Sequence, residues 1–529
     1  MNGNSVVFVA FQERENLGIG YLYAILSKAG YKVAIIDVRK DNSEILKEIL
    51  QLNPMLVGFS VIFENHIYDF QELIEYLRSN NILCHITAGG HFASLRPNDL
   101  YKIVPSLDSI VRFEGEYTIL DLVNHLHRRE DWKEVLGLSY RNNGTIVHNP
   151  LRALEPDLDQ FPIPHRPELK VFALEKKYAT ILAGRGCIYN CAFCDIREFY
   201  KQAPGPVKRI RKPDQVVEEM EYLHKEKNCS VFLFQDDDFP VKTNSTSEWV
   251  LKFCSYLREK NLVGKIMWKI NCRPDEVDHE LFKLLKQHGL FKVYLGIEDG
   301  TDSGLAQMNK RLKVSDHYEG IYILKQLGIG IDYGFMLFQP SSTYESLNSN
   351  LKFLEHICQD GKMPVFFLKM MPYLATRIEK ELSEEGRLKG KPGFLDYDFL
   401  EQSMDDFYSF VSECFNTWFH AANGLGNYFK WVSNYLSVFT FFHGTFSEIE
   451  RLSEDLIKHV ADSNRFVIRT MKDLSAYFEY GEYKDKSDHV LNDYKNSIAQ
   501  KHQSALKHAA NMMEQVELYY LTKELFIHK

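Results

Sequence analysis

Cysteine is scarce in this chain: nine residues in 529, an odd number, with Cys84, Cys229, Cys254, Cys272, Cys358 and Cys414 scattered singly. So sparse a set excludes a disulfide framework. The opening Met1-Asn-Gly-Asn-Ser5 has neither the basic nor the apolar part of a secretory signal, so the expected compartment is the reducing cytoplasm. Long apolar runs are lacking too. The longest, Tyr428 to Phe442, is broken by Lys430, Ser433 and Asn434 and falls short of the roughly 20 residues of a membrane span, so it reads as a buried helix. With a formal charge of −9 and only Lys208-Arg-Ile-Arg-Lys212 locally basic, no dedicated nucleic-acid surface is expected. A Gly-x-Gly-x-x-Gly is missing after the first strand-like run, where Phe11-Gln-Glu-Arg-Glu-Asn-Leu-Gly18 stands instead. That weakens a nicotinamide-dinucleotide reading.

What cysteine there is concentrates. Cys187, Cys191 and Cys194 lie in the run Ala183-Gly-Arg-Gly-Cys-Ile-Tyr-Asn-Cys-Ala-Phe-Cys-Asp195, a Cys-x3-Cys-x2-Cys spacing. Three thiolates so placed can hold three corners of a 4Fe-4S cube, and no fourth cysteine follows nearby. One iron is left open to a small molecule. Zinc, the alternative, pairs two Cys or Cys/His half-sites, and no second half-site lies within reach. With Phe193 before the last cysteine and the strand-like Tyr178 to Ala183 before the first, the run resembles the radical SAM superfamily. The resemblance implies S-adenosylmethionine (SAM) on the open iron and its reductive cleavage to a 5′-deoxyadenosyl radical.

The first 130 residues alternate strand and helix patterns. Strand-like runs at Ser5 to Phe11, Lys32 to Val38, Met55 to Val61, Ile82 to Ala88 and Leu107 to Arg112 predict an α/β fold. It is a doubly wound parallel sheet over residues 1–138, with ligands at the carboxyl ends of the strands. The runs Glu15-Asn-Leu-Gly-Ile-Gly-Tyr21, Gly89-Gly-His-Phe92 and Arg112-Phe-Glu-Gly-Glu-Tyr117 look like the cobalamin-binding domain found ahead of many radical SAM domains. That resemblance implies cobalamin contacts at Glu15, Asn16, Gly18, Gly20, Ser60, Gly89, Gly90, His91, Glu114, Gly115 and Glu116. Glycine at these turns lets the corrin lie close to backbone. Many cobalamin proteins carry Asp-x-His-x-x-Gly in the first loop, whereas here Glu15 stands at the histidine position. Cobalt then gains no imidazole from this loop. His91 and His66 are left as substitutes, or as ordinary loop histidines that are solvated or hydrogen-bonded.

Pro150, Pro156, Pro162, Pro164 and Pro167 predict an extended linker over 139–170. Over 171–385, six strand candidates match the partial (β/α)6 barrel of the radical SAM domain: Tyr178 to Ala183, Val231 to Gln235, Ile266 to Asn271, Lys292 to Ile297, Gly330 to Phe335 and Val365 to Met370. Barrel chemistry sits at the carboxyl ends of strands. The resemblance maps Asp236 and Asp237 to the SAM amino group, Arg273 to its carboxylate and Glu298 to its ribose hydroxyls. Gln339, in Phe338-Gln-Pro-Ser-Ser-Thr343, and Phe193 join that pocket. The alternatives are a helix cap or metal site for the aspartates, and structural ion pairs for Arg273 and Glu298. Residues 386–529 keep helical periodicity with aromatic clusters, which predicts a helical domain whose stripe is core or closes the barrel mouth.

The implied cofactors are a 4Fe-4S cluster, SAM and cobalamin, with a flavodoxin or ferredoxin as electron donor and a small molecule as substrate. An unactivated carbon offers no proton that a side chain can remove, so its methylation needs a radical. The expected activity is therefore C-methylation in small-molecule or natural-product biosynthesis. Two competitors stand beside it. One is ring rearrangement or cyclisation with cobalamin as redox partner; the other is a non-catalytic cobalamin sensor, which has no need of an open-iron cluster.

Overall fold

A computed structural model describes residues 4–13, 15–62, 64–242, 247–481, 483 and 489–527. The chain divides into two compact units, one formed by Met1–Glu168, Gly184–Gln215 and Pro372–Asp396, the other by Leu169–Ala183, Val216–Met371 and Tyr397–Lys529.

The first unit is built on a seven-stranded sheet. Its strands are β1 (Ser5–Ala10), β2 (Lys32–Asp37), β3 (Leu56–Ser60), β4 (His85–Gly89), β5 (Ser109–Val111), β6 (Leu138–Asn142) and β7 (Thr145–His148), in the order β2-β1-β3-β4-β5-β6-β7. The first five run parallel. Helices α1 (Leu17–Lys28), α2 (Asn42–Leu52), α3 (Ile67–Ser79), α4 (His91–Leu95), α5 (Pro97–Ile103) and α6 (Glu116–Arg128) connect them. A parallel sheet covered on both faces needs strands that are apolar throughout, and Ser5-Val-Val-Phe-Val-Ala10 is such a strand. Val7, Val9 and Val57 meet Ile45, Ile49, Phe70 and Leu73 in one core cluster. Val6, Phe8 and Leu56 meet Ile25, Leu26, Ile119 and Leu122 in the other.

The expected linker begins differently. Leu138 to His148 is a hairpin that extends the sheet antiparallel, with Asn142 paired to Thr145. Asn143 (φ 50°) and Gly144 (φ 84°) form its two-residue turn, the left-handed pair that matches strand twist. Beyond the hairpin the chain returns to α1: His165 donates its N–H to the Gly20 carbonyl at 3.0 Å, and its ring stacks on Tyr23 with centroids 3.7 Å apart.

The second unit carries a six-stranded half-barrel sheet. Its strands are β8 (Val171–Ala173), β9 (Lys176–Ile181), β10 (Cys229–Phe234), β11 (Met267–Cys272), β12 (Leu290–Glu298) and β13 (Gly330–Phe335). β9 to β13 run parallel in sequence order, and β8 is antiparallel to β9. On β12 the alternation is plain. Val293, Leu295 and Ile297 are fully buried, while Tyr294 on the opposite face is exposed. The apolar face meets helices; Trp268 of β11 lies edge-on to Phe253 of α7 (Glu248–Glu259), and Phe335 of β13 stacks on Phe353 of α11. Here α8 is His279–Gln287, α9 Asp302–Gln307, α10 Val314–Gln326 and α11 Tyr344–Cys358.

The sixth expected strand, Val365 to Met370, forms no regular strand: it makes one isolated parallel bridge, between Phe338 and Lys369, and the Leu368 N–H donates to the Phe335 carbonyl at the end of β13 at 2.8 Å. Its first N–H groups are taken elsewhere. Val365 donates to Asn464 Oδ1 at 2.7 Å and Phe366 to the Tyr333 hydroxyl at 3.1 Å, so no ladder can start there. The C-terminal region is helical from Gln402, in α12 (Gln402–Phe419), α13 (Leu425–His443), α14 (Ser447–Glu479) and α15 (His489–Ile527), whereas the start of the expected helical domain at 386 is a pair of strands, Leu388–Lys391 and Phe394–Tyr397. Its aromatic stripe is core, with Phe415, Trp418, Phe419, Phe439 and Phe478 buried. Among the described residues no helix is long and apolar enough to cross a membrane.

Candidate functional site

The three-cysteine loop belongs to the first unit, although residue numbers place it after the start of the second. Cys187, Cys191 and Cys194 are half-buried and in no disulfide, and Phe193 between the last two is half-buried as well. Gly186, at φ 81°, enters the loop so tightly that a Cβ there would overlap the Val207 carbonyl oxygen at 1.9 Å. Only glycine fits. The Cys191 carbonyl accepts from the Cys194 N–H at 3.2 Å, and the Ala192 carbonyl accepts from the N–H of Ile378 at 3.2 Å. By contrast, Cys254 and Cys358 are fully buried thiols pushed by burial up to about 12. Such thiols are inert, and the ligand chemistry is left to the loop.

A buried ionic cluster anchors this loop. The Arg185 guanidinium donates to Glu114 at 3.1 Å and Glu116 at 2.8 Å, and Arg209 grips both oxygens of Glu114 at 2.8 Å each. Arg185 also lies over the rings of Tyr21 and Phe161, 4.8 and 5.0 Å from their centroids. Burial opposes ionisation of Glu114, yet hydrogen bonds and charge from Arg209 and Arg185 hold its carboxyl below the usual range. Glu114 and Glu116, expected at cobalamin, therefore spend their carboxylates on the cysteine loop. Gly115 between them caps α6 and faces Val111 and Leu22.

The crest of the sheet carries the remaining N-terminal candidates. Ser60 and Gly89 sit side by side at the ends of β3 and β4. Gly90 (φ 116°) follows, where a Cβ would lie 2.5 Å from the Val61 carbonyl oxygen. Ser60, Gly89, Gly90 and His91 are half-exposed above strands that are otherwise buried. His91 Nδ1 is 3.5 Å from an Asp195 oxygen, and its ring stacks on Phe199 at 4.3 Å. His66 is hydrogen-bonded to Asp69 at 2.7 Å. Nearby, burial and then the charge of Asp195 push the Glu64 carboxyl up to about 7.

Other first-loop candidates serve the connector and the helix. Glu15 pairs with Arg166 at 3.3 Å, Asn16 caps α1 by accepting from the Ile19 N–H, and Gly20 leaves room for the His165 carbonyl. Gly18 is exposed on the first turn of α1.

In the second unit the strand-end candidates separate by role. Asp236 is buried and accepts the Ala183 N–H at 3.1 Å, whereas Asp237 is exposed. Arg273, expected at a SAM carboxylate, has its fork occupied by Asp275 at 3.0 Å and by the Lys310 carbonyl at 3.0 Å. Glu298 adopts φ 69° beside a register shift at the end of β12 and reaches Lys310 at 3.3 Å. A Cβ on Gly334 would come within 2.9 Å of the Glu298 carboxylate, so glycine there makes its space. Gln339 donates to Asp299, whose carboxyl burial holds above the usual range. Both line a polar cavity of about 290 Å³ with Thr301, Ser342 and Thr343.

Comparison with known families decides the reading. Residues 3–123 match the B12 binding domain and residues 181–354 the Radical SAM superfamily. The chain joins a B12 binding domain to a radical SAM domain. It is 27% identical to an uncharacterized methyltransferase of Pyrococcus horikoshii, a match covering 68% of this chain and 77% of that one. It is 26% identical to the anaerobic magnesium-protoporphyrin IX monomethyl ester cyclase of Rubrivivax gelatinosus, over 63% of this chain and 60% of the cyclase. The fold is shared with the cobalamin-dependent SAM radical enzyme OxsB solved with aqua-cobalamin and SAM, at a TM-score of 0.66 and 18% identity, covering 94% of this chain and 84% of OxsB.

The two domains imply cobalamin, a 4Fe-4S cluster and SAM as the cofactors of this radical SAM protein. Its residues fit that set. The loop offers three cysteine sulfurs within eight residues, the soft ligands that a 4Fe-4S cluster takes. A cube takes each thiolate on a different iron. The sheet crest offers backbone and glycine in place of bulky side chains, which suits a flat macrocycle. Sequence reasoning missed Arg185 and Arg209. Their signal, arginine flanking a cysteine motif, is visible only once Glu114 is known to lie beside them.

Proposed function

We propose that this radical SAM protein methylates an unactivated carbon of a small-molecule substrate. The observation that carries the reading is that the B12-binding sheet and the cysteine loop form one compact unit, with His91 of the crest 3.5 Å from Asp195 beside Cys194. A methyl carrier and a radical source are useful to each other only as neighbours. When bound, the cluster and SAM supply one-electron cleavage of the sulfonium, and cobalamin supplies a methyl carrier. Cys187, Cys191 and Cys194 hold the cluster, and Ser60, Gly89, Gly90 and His91 receive the corrin. Asp237 and Glu298 are the carboxylates assigned to SAM, with Gln339 on the cavity wall. The protein's own work is to fix these groups and exclude water and oxygen. A flavodoxin or ferredoxin is the proposed electron donor. Similarity to a methyltransferase supports methyl transfer.

The test supplies SAM labelled in its methyl group, with reductant and hydroxocobalamin, to cell extract from a producing strain. Label entering a product at carbon supports the reading. Deoxyadenosine without labelled product overturns methyl transfer and favours cyclisation, the reading that the Rubrivivax gelatinosus cyclase supports.

A further inference from the structure

The inner face of the half-barrel sheet is unusually cationic at its floor. Lys269 of β11 and Lys292 of β12 are paired in register and point to the face that carries Tyr294 and Asp332. Lys269 Nζ lies 3.1 Å and Lys292 Nζ 3.7 Å from the Asp332 carboxylate. From α13, Asn434 accepts a hydrogen bond from Lys292 at 2.6 Å, and Lys430 lies 4.9 Å over the Phe366 ring. Lys430 has no carboxylate partner among the described residues, yet it acts electrostatically on both Asp332 and Lys292. Two ammonium groups thus share one carboxylate, and the charge of a third, Lys430, adds to theirs. A tether between α13 and the sheet needs one cation per anion; each further cation buried beside the first costs energy through repulsion and desolvation. The side chain of Lys269 is 24% exposed against 5% for Lys292, and Tyr294 is also exposed, so the excess charge faces an opening.

We infer that this floor is an anion subsite, in which Lys269, Lys292 and Lys430 receive a phosphate or carboxylate group carried by the substrate. Ammonium groups in a low-dielectric cleft concentrate such anions. The inference rests on the half-barrel being the substrate chamber of the proposed enzyme, and it adds a size. Tyr294, level with Asp332, is followed along β12 by Glu298 four residues on, a rise of about 13 Å. A substrate anchored at the floor and reacting near the strand ends is therefore an elongated molecule with an anionic end.

The experiment titrates the full chain with inorganic pyrophosphate, and separately with succinate, by calorimetry at low ionic strength. Saturable one-site binding is expected, and the tighter ligand identifies the anion class. Lys430→Gln, which breaks no ion pair, should weaken binding at least fivefold, while Lys252→Gln on the exposed α7 pair with Glu248 leaves it unchanged. Asp332→Asn, which adds net positive charge, should tighten it at least threefold if the variant folds. Absence of saturable binding, or equal affinity of wild type and Lys430→Gln, overturns the subsite. Deoxyadenosine formation is followed in parallel. Anion binding without SAM cleavage sinks the enzymatic reading and keeps the subsite, and the reverse sinks the subsite alone.

Discussion

Glu114→Gln removes the charge at the centre of the ionic cluster that seats the cysteine loop. The carboxylate takes three hydrogen bonds, one from Arg185 and two from Arg209, and the side chains of Glu114, Arg185 and Arg209 are 11%, 10% and 2% exposed. Removing one partner of so buried a pair leaves an uncompensated charge and costs about 3–5 kcal/mol. Glutamine keeps one acceptor oxygen, and Glu116 still neutralises Arg185, so the lower end applies, about 3 kcal/mol. For a unit of this size that lowers the melting temperature by roughly 6–12 °C. Scanning calorimetry of the metal-free chain reads the shift, and iron retained after anaerobic reconstitution reads the loop itself; both should fall. Arg209→Met in a double-mutant cycle should show a coupling above about 1 kcal/mol. A melting temperature within 2 °C or so of wild type, with unchanged iron, would refute the claim that the cluster holds the loop.

Gly186→Ala forces a Cβ into the Val207 carbonyl at the loop entrance, and iron per chain after reconstitution should drop below half. Gly90→Ala meets the Val61 backbone in the same way; cobalt retained after desalting should fall at least fivefold while iron is kept. Burial lowers His85 to about 4, from 6.5. Its neutral form stabilises the fold fully above the unfolded value, and that stability is lost as pH falls from about 6.5 towards 4, up to about 3 kcal/mol. Urea unfolding at pH 7.5 and 5 measures the slope, and His85→Asn should flatten it.

The parallel strands were legible because each lies in a short, largely apolar run; β1 to β5 fall within a few residues of where periodicity puts them. The β6–β7 hairpin was hidden by the prolines that follow it, although Asn143-Gly144 is a strong turn signal. Val365 to Met370 misleads for the opposite reason. An apolar run reports burial, and nothing local shows that Asn464, about a hundred residues on, takes the N–H a strand needs. At the site, three closely spaced cysteines announce themselves. The carboxylates of Glu114 and Glu116 do not announce their partners, which lie 69 residues away or more in Arg185 and Arg209. Arg273 is equally opaque, since an arginine at a strand end looks the same whether it awaits a ligand or is satisfied by carbonyls.

The discontinuity of the first unit sets an order of events during synthesis. Its core includes Leu374, and the cysteine loop is bonded through Ala192 to Ile378. Both of those residues leave the ribosome about 180 residues after Cys194, which at roughly 5–20 residues per second is some 10–40 s. Through that interval the loop is held by Arg185 and its partners but lacks the Ile378 bond. Of the restraints described on the three thiols, the one from the returning segment is thus the last to be made.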